Sequence, residues 1–121
     1  MSLIICACDM GLTDVINMGA LEAIDCGCVS AASVLLNMPG AEHALTELKK
    51  RPWISYVWQI SERGRDLDSM DEASLENELN DEIINAIRIA GKAPFAALTE
   101  SEALRIPAEK VCNRFGIRTG W

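Results

Sequence analysis

Four oxygen-bearing side chains fall at or just after the ends of predicted strands: Asp9, Gln59, Glu100 and Glu102. In a parallel sheet the carboxyl ends of the strands share one side, where α/β folds place their chemistry. Hard oxygen donors gathered there could hold a divalent cation, and Mg or Mn suits such donors better than Zn. The competing reading is a polar rim facing solvent, and spacing alone favours it. Asp9 is the most suggestive of the four. It follows the apolar stretch that starts at Leu3, and Gly11 just beyond it lets the chain turn. Thr13 or Asp14 could then cap a helix.

Other chemistry has less support. Cys6-x-Cys8 and Cys26-x-Cys28 invite a four-thiolate zinc site. However, the first pair belongs to a strand and the second to a helix–strand connection, at opposite ends of a sheet. Together with Cys112 the cysteines make five, an odd count in apolar surroundings. That pattern reads as buried, reduced thiols rather than a disulfide framework. His43 is the only histidine. It sits beside Ala44 and Leu45 and reads as structural, so a Ser–His or Cys–His nucleophile pair has little to draw on. No glycine-rich phosphate loop is present.

The elements that must position these residues alternate. Strands are predicted over 2–8, 29–36, 54–60 and 93–98, with a fifth starting near Gly116. Helices are predicted over 13–25, 41–50, about 71–90 and 107–115. The first would face inward with Ile16, Ala20, Ala23 and Ile24. The third carries the clearest stripe, Leu75, Leu79, Ile83, Ile87 and Ala90. Ser69 and Glu72 have capping-box spacing before it, and Pro107 would open the fourth helix. Alternation of this kind implies βαβ units, right-handed crossovers and a parallel sheet.

At 121 residues and 50% apolar composition the chain suits a single domain, residues 1–121. The formal charge of −7 argues against nucleic acid and against an anionic membrane surface. No apolar run is long enough to span a bilayer and no secretory signal is visible, so a cytoplasmic location is expected.

The same positions resemble the YdjC-like carbohydrate deacetylases, the family of the chitooligosaccharide deacetylases. Those proteins open with a strand, A-D-D-F-G-L, a helix of the type G-V-N-x-G-x-x-E-A, and a strand ending in N-M-P. Here the corresponding segments are A-C-D-M-G-L (Ala7–Leu12), V-I-N-M-G-A-L-E-A (Val15–Ala23) and V-S-A-A-S-V-L-L-N-M-P (Val29–Pro39). The match is nearly gap-free over residues 3–50 and traceable to 118.

The resemblance implies a TIM-like barrel and removal of acetyl groups from amino sugars with a divalent metal. It implies that the metal is held by the second aspartate of D-D and by histidines from two later segments, the first aspartate serving as general base. Asp9 matches the metal aspartate, and Cys8 stands where the base should be. Gln59 falls at one histidine position, and Glu100 and Glu102 fall where the histidine cluster is expected. A carboxamide is a weak substitute for imidazole. A thiol differs from a carboxylate in pKa and geometry, and losing a base typically costs about 10²–10⁴-fold in rate.

A full barrel takes roughly 250 residues. The expected architecture is therefore α/β, a parallel sheet with alternating helices like the first half of a TIM-like barrel. A flavodoxin-like open sheet or a piece of a longer protein are the rivals. The expected function is a catalytically degenerate deacetylase homologue, a folded or sugar-binding remnant. The alternative is a hydrolase with a remodelled metal site using Asp9, Gln59, Glu100 and Glu102. Cofactors would be Mg, Mn or Zn if the chain is active, and none otherwise. Expected partners are a second copy closing the open half-barrel, and an oligosaccharide.

Overall fold

Each apolar run that Gly, Pro or Asn brackets in the sequence becomes a parallel strand, and each of the first four leads into a helix. The computed structural model describes residues 6–27 and 29–121, with the side chains of residues 6–9 outside that description. The order is β1 (Cys6–Met10), α1 (Asp14–Asp25), β2 (Ala31–Val34), α2 (Ala41–Lys49), β3 (Ser55–Ile60), α3 (Glu72–Ala90), β4 (Ala96–Thr99), α4 (Glu102–Phe115) and β5 (Arg118–Thr119). None of the helices described is long and apolar enough to cross a membrane.

The sheet has five strands in the order β1-β2-β3-β4-β5, all parallel. This bears out the expected α/β architecture. A doubly wound sheet reverses direction at a switch point, and no reversal occurs here, so the flavodoxin-like alternative is excluded. Right-handed crossovers stepping always to the next strand put every helix on one face, where α1 touches α2, α2 touches α3, and α3 touches α4. The core lies between this helical layer and the sheet. Met10, Val34, Tyr56, Trp58, Ile60 and Ala97 point into it and meet Leu45, Leu48, Leu79, Ile83 and Leu104 from the helices. By strand alternation Ser33, Val57, Gln59, Ala96 and Leu98 belong to the opposite, barrel-interior face.

Several sequence expectations are corrected. The described part of the first strand reaches Met10 rather than stopping at residue 8, and residues 2–5 lie outside the described residues. α1 buries Asn17, Leu21 and Ile24, whereas Ile16 is exposed and Ala20 and Ala23 are only half-buried. The buried face lies one step around the helix from the apolar periodicity, because a buried polar residue, Asn17, interrupts it. α3 is capped by Asp71, whose side chain accepts from the Ser74 N–H at 2.8 Å, so Ser69 and Glu72 form no capping box. α4 begins at Glu102, and Pro107 sits in its interior. That proline forgoes one i→i−4 bond at a buried position of the helix.

Candidate functional site

The carboxyl ends of β3 and β4 enclose a cavity of about 400 Å³ lined by Gln59, Ile60, Ser61, Glu62, Arg63, Glu100 and Ser101. Gln59 is the penultimate residue of β3 and pairs in register with Leu98 of β4. Its half-buried amide oxygen accepts from Ser33 Oγ at 3.4 Å, on the neighbouring β2. Glu62 Oε1 accepts from Ser101 Oγ at 2.9 Å, which ties the β3–α3 connection to the β4–α4 connection.

The wall formed by residues 61–63 is held from two further sides. Asn37, of the N-M-P segment, donates from Nδ2 to the Arg63 carbonyl at 2.6 Å. Arg65, whose side chain is fully buried, donates from Nε to the Ser61 carbonyl at 2.7 Å. The same guanidinium pairs with Glu78 and lies 3.0 and 2.9 Å from the two oxygens of Glu82. Trp58 Nε1 donates to Glu82 at 3.0 Å. Burial raises the Glu82 carboxyl above its ordinary range, and the Arg65 charge opposes that shift.

The first strand reaches the same edge of the sheet. Ala7 pairs with Ala32 but Met10 pairs with Val34, so three steps on β1 oppose two on β2. Cys8 and Asp9 occupy this register shift, a device that re-aims the chain next to functional sites. Their side chains lie outside the described residues. Immediately beyond, Gly11 adopts φ +93°, and a Cβ there would lie 2.3 Å from the Leu35 carbonyl oxygen. Asn17, fully buried, stitches this turn to the next one. Its Oδ1 accepts from the Gly11 N–H at 2.7 Å and its Nδ2 donates to the Gly40 carbonyl at 2.8 Å. Gly40 in turn donates its N–H to the Gly11 carbonyl at 2.8 Å.

The structure thus brings Gln59 and Glu100 to one cavity and leaves Glu102 outside its lining, as the exposed first residue of α4. A carboxylate there suits the positive end of the helix dipole. Ser61, Glu62, Arg63 and Ser101 are wall residues that the sequence reading missed. Their signal was position alone, just after strands three and four, because a charged loop does not reveal which way it folds back.

The sulfur-bearing candidates divide differently. Cys112 is buried, and burial together with Glu109 pushes its thiol up to about 11, an inert core thiol as expected. Cys26 is exposed rather than buried, with its Sγ donating to the Ala23 carbonyl at 3.2 Å. The side chains of Cys6 and Cys8, and the whole of Cys28, lie outside the described residues.

A divalent metal does not fit the described donor set. No group of three or more His, Cys, Asp or Glu is gathered among the described residues. Gln59 is neutral and already engaged by Ser33, and Glu62 is engaged by Ser101. The one imidazole, His43, is bonded to Asn17 on α1 and is absent from the cavity wall.

Comparison with known proteins accords with this architecture. A carbohydrate deacetylase of Geobacillus stearothermophilus is 38% identical over 76 residues, covering 62% of this chain and 30% of that protein. The crystal structure of an Enterococcus faecalis protein named for cellobiose-phosphate cleavage superimposes with a TM-score of 0.76 at 15% identity, over 96% of this chain and 57% of that one. The chain therefore spans about a third and somewhat over half, respectively, of the proteins it matches. The family model for YdjC-like proteins matches residues 2–81, and the chain belongs to that family.

Proposed function

We propose that this chain is a YdjC-like deacetylase-family domain that binds saccharide in its strand-end cavity and no longer performs metal-dependent deacetylation. The carrying observation is Gln59. It stands where the resemblance implies a metal-binding imidazole, and its amide oxygen is held by Ser33. Cys8 in place of the presumed base points the same way. What lines the cavity is a set of amide, hydroxyl, carboxylate and guanidinium groups from Gln59, Ser61, Glu62, Glu100, Ser101 and Arg63. Such groups both donate and accept, which is what adjacent hydroxyls of a sugar require. The name of the Geobacillus relative supports a carbohydrate as the ligand class.

The protein is incubated with acetylated chitooligosaccharides and Mg, Mn or Zn, while ligand-observed NMR follows binding. Binding weakened by Gln59→Ala, with no acetate released and no metal retained, is the expected result. Metal-dependent acetate release would instead establish the remodelled site built on Asp9, Gln59, Glu100 and Glu102. Absence of any saccharide binding would overturn the proposal.

We further propose that a second copy of the chain covers the barrel-interior face. Among the described residues no helix lies on that face, where Leu98 is 40% exposed.

A further inference from the structure

The hydrogen bonds around Asn17 determine more than its own position. The Gly11 N–H can only donate, so the atom facing it at 2.7 Å is the amide oxygen of Asn17. The Gly40 carbonyl can only accept, so the atom facing it at 2.8 Å is Nδ2. These two contacts fix the orientation of the amide independently. The remaining N–H of Nδ2 is then directed at His43 Nδ1, 3.1 Å away. For that contact to be a hydrogen bond, Nδ1 must carry a lone pair. Such a lone pair belongs to the neutral Nε2–H form of His43.

Protonation reverses the sense of this contact. An imidazolium carries N–H at both nitrogens and accepts at neither. Nδ1–H would face an Asn17 N–H, donor against donor. A replacement acceptor stands nearby, because Asp14 Oδ1 on α1 lies 3.7 Å from the same Nδ1. Two further acids are on its own helix. Glu42 is adjacent, and Glu47, one turn on, is engaged by Lys50 and Arg51. Asp14 is thus the one carboxylate on a neighbouring helix paired with His43 among the described residues.

We propose that His43 is a pH-sensitive fastener of the strand-end loops. Neutral His43 locks the Asn17 amide, which clips the β1–α1 turn at Gly11 to the β2–α2 turn at Gly40. Protonated His43 turns to Asp14 and releases one of the four contacts that hold the clip. The turn so affected directly follows Cys8 and Asp9, so acidification loosens the edge of the sheet where the family resemblance places the metal aspartate.

The single histidine makes the test clean. Long-range ¹H–¹⁵N correlation on the uniformly labelled protein reports the tautomer of neutral His43. A pH titration then follows the Asn17 side-chain NH₂ and the Gly11 amide beside the imidazole signals. Neutral His43 should be the Nε2–H form, and the Asn17 and Gly11 signals should move along the His43 titration curve. In Asp14→Asn, which withdraws the charged acceptor, the Asn17 and Gly11 signals should respond less to acidification. An Nδ1–H tautomer would overturn the proposal, as would Asn17 and Gly11 signals that ignore the His43 titration. The tautomer measurement uses the unaltered chain, so it decides even if a variant fails to fold.

Discussion

Arg65 offers the most quantitative handle on the wall of the cavity. Its guanidinium is fully buried and serves three groups at once: the Ser61 carbonyl, Glu78 and Glu82. Replacing it with methionine keeps much of the volume and removes the charge. Glu82, with a side chain only 5% exposed, then keeps Trp58 Nε1 as its donor and loses its counter-ion. Removing one partner of a buried pair costs about 3–5 kcal/mol. For a domain of this size that corresponds to a fall in Tm of roughly 10–20 °C. The pH dependence carries the sharper signature. Burial already raises the Glu82 carboxyl, and Arg65 is the foremost influence holding it down. A carboxyl raised on folding contributes stability below its unfolded value and loses it as pH rises through the folded value. Without Arg65 the folded value rises further, so Arg65→Met should regain stability between pH 7 and pH 5. The wild type, in which Arg65 holds that value down, should regain less. Asp25 and Glu47 are lowered by Arg51, and Asp71 by the Ser74 N–H, so their contributions are lost only at more acidic pH. Urea unfolding followed by tryptophan fluorescence at both pH values measures this. In the Glu82→Gln background the Arg65→Met penalty should shrink, which a double-mutant cycle reads directly. A penalty under about 1 kcal/mol at pH 7, or a variant with no recovery on acidification, would refute the reasoning.

Two further outcomes are expected. Gly11→Ala places a Cβ 2.3 Å from the Leu35 carbonyl oxygen at a φ of +93°, so it should cost at least about 2 kcal/mol by calorimetry, beyond the ordinary cost of a left-handed alanine. If a second copy covers the open face, sedimentation velocity at micromolar concentration should show a dimer, and a stable monomer would discard that proposal.

The sequence reading succeeded where periodicity had one interpretation. The Leu75–Leu79–Ile83 stripe of α3 and the alternate residues Tyr56, Trp58 and Ile60 of β3 face a single core, so pattern and burial coincide. It failed where two physical demands compete. In α1 the apolar flank Ile16, Ala20 and Ala23 suggested the buried face, but Asn17 takes that place because backbone groups in two turns need its amide. In α4 Pro107 looked like a first-turn residue, yet the helix starts a turn and a half earlier and absorbs the missing donor. That earlier start also carries Glu102 onto the helix, away from the cavity that Glu100 lines. Gln59 and Glu100 were identifiable because strand ends are readable from sequence. Glu62 and Arg63 were not, because the placement of the 61–63 wall depends on anchoring bonds that span 4 to 39 positions, from Arg65, Asn37 and Ser101.

The sequential strand order has a consequence for how the molecule holds together. Each strand pairs only with the next in the chain, and each helix packs chiefly on its neighbours. Stability is therefore passed along a line, as in a repeat array, and no late segment must thread back between earlier ones. A two-stranded unit can form before the rest is synthesised, and each later βα unit adds to a finished edge. For a growing chain this keeps loop-closure entropy small at every step. The same property makes the two rims, β1 and β5, the places where a unit can be gained or lost without repacking the centre at β2 and β3.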